Sequence, residues 1–83
     1  MEAVIRARLE TALSPSRLEV VNESHRHAGH AGDDGSGESH WHVAMTAPAF
    51  AGAGRVARHR MVYAALGDVM DRIHALSLDL AAE

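Results

Sequence analysis

Ser39-His40-Trp41-His42-Val43-Ala44-Met45-Thr46-Ala47 alternates residue by residue. Trp41, Val43 and Met45 share one face, opposite His40, His42, Ala44 and Thr46. A period of two over this length marks a half-buried strand. Pro48 ends it, because proline cannot donate to a ladder. Upstream, Arg17-Leu18-Glu19-Val20-Val21-Asn22-Glu23 opens with the same alternation, Leu18 and Val20 against Arg17 and Glu19. The two runs are expected to pair as a hairpin. Between them, residues 24–38 hold four glycines, Asp33, Asp34, Ser24 and Ser36, with no apolar residue larger than alanine. That composition predicts a long, flexible loop. It carries His25, His27 and His30.

Helices flank the hairpin. Ile5, Leu9, Ala12 and Leu13 fall at i, i+4, i+7 and i+8, one apolar stripe of a helix over 2–13. Ser14-Pro15-Ser16 stops it. After a turn over 49–54, Val62, Leu66, Val69 and Ile73 follow i, i+4, i+7 and i+11, with Met70 beside them. This predicts a helix from Arg55 to about Arg72. Gly67 weakens it by about 1 kcal/mol relative to alanine, so a break into two shorter helices is expected there. Residues 73–80 alternate again, with His74, Leu76, Leu78 and Leu80 facing Ala75, Ser77 and Asp79 across the strand. The order is α-β-β-α-(α)-β, with one sheet face under the helices and a single core. No repeat or second domain is visible, so residues 1–83 read as one domain.

Composition narrows the function classes. The chain has 83 residues, a formal net charge of −3 and no cysteine. A domain this small buries only about 60–65% of the surface its unfolded chain exposes, which leaves little room for an enclosed cleft. Without thiols it has no disulfide, no cysteine nucleophile and no thiolate ligand. Net negative charge is the wrong sign for a protein bound mainly to phosphate backbones. No apolar run is long enough to span a bilayer, and Met1-Glu2-Ala3-Val4-Ile5-Arg6 lacks a secretory core. A cytoplasmic location is expected. No catalytic grouping or glycine-rich phosphate loop stands out, so a non-enzyme is expected. The compositional oddity is seven histidines: His25, His27, His30, His40, His42, His59 and His74.

Several segments, taken in order, resemble the BolA family. They are Leu18-Glu19-Val20-Val21-Asn22-Glu23-Ser24, Glu38-Ser39-His40-Trp41-His42-Val43, Phe50-Ala51-Gly52, Arg58-His59-Arg60-Met61-Val62-Tyr63 and Ile73-His74-Ala75-Leu76-Ser77-Leu78. The resemblance covers nearly the whole chain. It implies an α+β domain of order αββααβ, related to the class II KH fold, with a three-stranded mixed sheet. It also implies a [2Fe-2S] cluster shared with a monothiol glutaredoxin and glutathione, present only in the complex. On that resemblance the ligands are His74 and a histidine of the first inter-strand loop, aligned at His27. His25 and His30 compete for the second place. The other function the resemblance implies is a DNA-binding regulator of stress response and morphology, acting through Arg55, Arg58 and Arg60.

Each of these residues has a plainer reading. His74 shares a face with three leucines and reads as a core histidine. His25, His27 and His30 read as a solvated loop. His40 and His42 project from the same side of their strand, which suits a metal, but the polar face of an antiparallel strand looks the same. A zinc site built from them and the loop histidines matches no structural zinc spacing and lacks thiolates. Arg58 and Arg60 read as a solvated helix start or as internal contacts, and His59 as a residue that packs or hydrogen-bonds within the fold. Gly52-Ala53-Gly54-Arg55 is not the GxxG loop with which KH domains clamp single strands.

Overall fold

A computed structural model describes residues 1–24 and 39–82. Helix α1 spans Glu2–Leu13 and buries Ile5 and Leu9 completely. It ends at Ser14, whose left-handed backbone (φ 45°, ψ 57°) lets its amide reach the Glu10 carbonyl at 3.1 Å. Pro15 then prevents continuation. Strand β1 covers Arg17–Asn22 and strand β2 covers His40–Thr46. They pair antiparallel, with Val20 opposite Val43. The second helix, α2, spans Arg55–Leu66, and strand β3 spans Ala75–Ala81. Strand β3 lies parallel to β2, with Leu78 opposite Val43. The mixed sheet therefore has the order β1-β2-β3 with β2 in the centre. A parallel neighbour needs a crossover connection, and α2 supplies it.

From Trp41 onward the alternation in β2 matches the burial, whereas His40, on the polar parity, is buried at the start of the strand. Trp41, Val43 and Met45 lie under the helices with Val20, Ile5, Leu9, Val62 and Leu66. Arg17, Glu19, Ala44, Ser77 and Asp79 occupy the other face, which neither α1 nor α2 covers. This is the expected α+β, two-layer architecture. Phe50, in a short 3-10 turn over Pro48–Phe50, is also fully buried. The segment read as a simple turn therefore contributes a large core side chain.

The helical run expected over 55–72 breaks at Gly67, the predicted weak point, and α2 stops at Leu66. Gly67 takes φ 54° and ψ −122°, and a 3-10 turn covers Gly67–Asp71. A Cβ at Gly67 would meet only Arg8 Nη1, at 3.5 Å, an ordinary contact. Conformation, not space, therefore calls for glycine here. Val69 and Ile73 remain buried after the break, because a tighter coil still turns them inward.

Arg8 ties this break to α1. Its Nη1 donates to the Leu66 carbonyl at 3.0 Å and to Asp68 Oδ1 at 2.9 Å. The Arg8 hydrogen bond and charge hold the Asp68 carboxyl below its ordinary pKa of 3.8. A carboxyl with a lowered folded-state pKa adds stability above its unfolded value, and that stability disappears as pH falls through the folded value. Asp68→Asn should therefore lower the melting temperature slightly near neutral pH, and the difference should close as pH drops below about 4. Arg8→Met should still cost roughly 1 kcal/mol below that pH, because the Leu66 carbonyl also loses its donor. Thermal melts of both variants across pH would check this.

Candidate metal centre

The end of β1 and the starts of β2 and β3 meet at one end of the sheet. Asn22 is opposite Trp41, and His40 is opposite Ala75. Backbone bonds hold this end together. The Ser39 carbonyl accepts the His74 amide at 2.7 Å and the Ala75 amide at 3.1 Å. The Glu23 amide donates to the His40 carbonyl at 2.9 Å. Ser24 completes it, its amide bonded to Asn22 Oδ1 at 2.9 Å and its Oγ accepting the His40 amide at 3.0 Å. Ser24, Ser39 and His40 are all buried. A buried polar cluster holds its shape when its groups are paired.

His74 sits on the rim of this cluster. Counting by twos along 73–80 places it with Leu76, Leu78 and Leu80, which suggests the core. In the structure it lies just before β3 and is exposed, while those leucines are half-buried. The sheet alternation does not apply to it, because it is in a bend outside the ladder. Its ring packs beside the His40 ring, with centroids 5.3 Å apart and planes inclined by 49°. His40 Nδ1 lies 2.8 Å from Ser39 Oγ. The site thus has one exposed imidazole backed by one buried imidazole.

The other histidines are placed differently. His42 pairs through Nδ1 with Ser77 Oγ at 2.7 Å across β2 and β3. His59 Nδ1 lies 2.8 Å from the Arg55 carbonyl, and its ring meets Tyr63 edge-on. His25, His27 and His30 lie outside the described residues. Among the described residues, no three His, Asp or Glu side chains gather as a group that could hold a metal ion.

The arginines of α2 divide into two kinds. Arg58 donates through Nε to the Ala53 carbonyl at 2.8 Å, and its guanidinium lies 5.9 Å from the Phe50 ring centroid. Arg55 and Arg60 are exposed, beside Val56 and Tyr63, which are 64% and 41% exposed. Arg58→Ala should therefore cost about 1–2 kcal/mol of stability. Arg60→Ala should stay within about 0.5 kcal/mol of wild type, as surface changes do. Urea titration of the two variants would distinguish them.

Sequence reasoning did not single out Ser39 or Ser24. Neither has a spacing signature, and both matter only once three strand ends converge. The contact between His40 and His74 spans 34 positions of sequence and needs the parallel pairing of β2 and β3 to exist.

Fold and site together define a small two-layer α+β domain with a histidine pair at one end of a mixed sheet. The family model described as BolA-like protein matches residues 9–83. An uncharacterised protein of the cobS 5′ region in Sinorhizobium is 50% identical over 80 residues, covering 94% of this chain and 86% of that protein. BolA-like protein 1 of Homo sapiens is 46% identical over 79 residues, covering 94% of this chain and 55% of its own length. The solved structure of BolA1 from Arabidopsis thaliana has a TM-score of 0.86 at 35% identity, with 99% of this chain and 90% of that one covered. The BolA domain of SufE1 from Arabidopsis thaliana gives the same TM-score at 38% identity, covering 98% and 90%. The chain belongs to the BolA family. Among the described residues, no helix is long and apolar enough to cross a membrane.

Proposed function

We propose that this protein is a non-enzymatic partner of a monothiol glutaredoxin, helping to hold a [2Fe-2S] cluster in iron–sulfur trafficking or iron homeostasis in the cytoplasm. The observation that carries the reading is the exposed His74 imidazole, packed on buried His40 at the end of the sheet where residues 25–38 join it. The donor set fits a shared cluster. Such clusters are usually held by four cysteine thiolates, with histidine replacing some of them in certain proteins. A chain without cysteine offers no thiolate, so on this reading the sulfur comes from the glutaredoxin cysteine and bound glutathione. His74 would be this chain's first ligand and His27 its second.

When bound, the cluster would supply one-electron redox chemistry and a transferable iron–sulfur unit. The residues of this chain present and orient the imidazole. A ligand nitrogen must be deprotonated, so acid should weaken the complex. The alternative of a DNA-binding regulator rests on Arg55 and Arg60, since Arg58 is committed to Ala53 and Phe50.

The test mixes the protein with a cluster-loaded monothiol glutaredoxin and records visible circular dichroism. Wild type should change the spectrum of the glutaredoxin-bound cluster, and His74→Ala should abolish that change. Identical spectra for the two proteins would refute the ligand assignment.

A further inference from the structure

Ser39 holds both histidines of the site from one position. Its carbonyl accepts the His74 amide at 2.7 Å, which fixes where His74 leaves the backbone. Its Oγ lies 2.8 Å from His40 Nδ1, which fixes the rotation of the His40 ring. His40 is 8% exposed, and its ring centroid lies 5.3 Å from that of His74. Ser24 Oγ braces the His40 backbone from the other side, 3.0 Å from its amide and 3.4 Å from its carbonyl. A hydroxyl, a buried ring and an exposed ring tilted against it thus form one contiguous series, with the exposed ring outermost.

We infer that Ser39 and His40 are positioning residues for His74: Ser39 sets its backbone and orients His40, whose ring is the wall against which the His74 imidazole is held. An isolated surface histidine samples several χ1 wells and a broad χ2. A neighbouring ring on one side removes part of that freedom before any metal arrives, so less ordering is needed on binding. Metal-ligating histidines commonly depend on such a supporting shell. Here the support is a ring contact and a backbone bond. The inference rests on the proposed ligand role of His74 for its purpose, though not for its geometry.

Two measurements separate the inference from that reading. The first uses the free protein and follows carbon relaxation at His74 Cε1 by NMR. His40→Ala should make the His74 ring markedly less ordered, with far-UV circular dichroism unchanged. His40→Phe, which keeps a ring at the wall, should preserve the order. Ser39→Ala should fall between them, because the carbonyl remains and the hydroxyl does not. The second loads the mixed complex from a cluster-bearing monothiol glutaredoxin and times cluster loss. His40→Ala should shorten the half-life about 10-fold, and His40→Phe should rescue most of it.

An unchanged His74 order in His40→Ala overturns the inference, and so does His40→Phe behaving like His40→Ala. If His40→Ala fails to fold, the comparison of His40→Phe with Ser39→Ala decides. Loss of His74 order in Ser39→Ala but not in His40→Phe supports the arrangement, and any other pattern overturns it. If His74→Ala leaves the cluster spectrum unchanged, the ligand reading falls, and the free-protein measurement still decides the positioning claim.

Discussion

Phe50→Ala should cost about 3–5 kcal/mol, the usual loss when a fully buried phenylalanine becomes alanine. The ring is completely buried among Ile5, Leu9, Val43, Val62 and the rest of the core. Its removal takes away apolar burial and leaves a cavity that a short 3-10 turn fixed by Pro48 cannot easily close. Domains hold roughly 0.05–0.15 kcal/mol per residue, so this loss is a large part of the stability available to 83 residues. Arg58 would also lose the aromatic ring near its guanidinium. Phe50→Leu should cost less than about 1.5 kcal/mol, because most of the volume remains. Urea denaturation should show the midpoint falling sharply for Phe50→Ala with little change in slope. A loss below about 1 kcal/mol would mean that this turn does not seal the core.

The same residue shows how far sequence patterning reaches. Trp41, Val43 and Met45 declare their face because a strand repeats every two residues and they sit in the middle of one. Val62 and Leu66 do so at helical spacing. Phe50 has no periodic neighbours, and an isolated aromatic between glycines and alanines looks the same whether it is buried or exposed. Gly67 was legible as a weak point, and the chain breaks there because glycine alone adopts its backbone angles easily. Past the break, the second piece is a 3-10 turn rather than a second α-helix. The Arg8 contacts that hold the break join residues 58 and 60 positions apart, a distance that no local pattern encodes.

The candidate site was legible in its exposed histidine and illegible in what supports it. His74 drew attention through the Ile-His-Ala-Leu segment, while its side-chain environment was misread by parity. Alternation assigns a residue to a face only while it belongs to the ladder, and β3 begins at Ala75. One position of offset separates a core histidine from an exposed one. The serines and His40 behind it come from strand ends that meet only after the sheet forms.

His74→Cys should keep the cluster in the mixed complex and lower its reduction potential by on the order of 100 mV or more. On the proposed ligation, the wild-type chain contributes neutral imidazole. A thiolate in its place adds one negative charge to the iron site, and added charge favours the oxidised cluster. Visible absorption should persist while the circular dichroism shifts toward that of an all-sulfur site. His74→Ala supplies no donor from this position and should lose the cluster's mixed signature altogether. The pair of variants separates ligation from mere contact. If His74 only touched the glutaredoxin surface, cysteine and alanine would perturb the complex to a similar degree, and neither would move the potential systematically. Redox titration of the three complexes under argon makes the comparison. An unchanged potential in His74→Cys would remove this histidine from the iron.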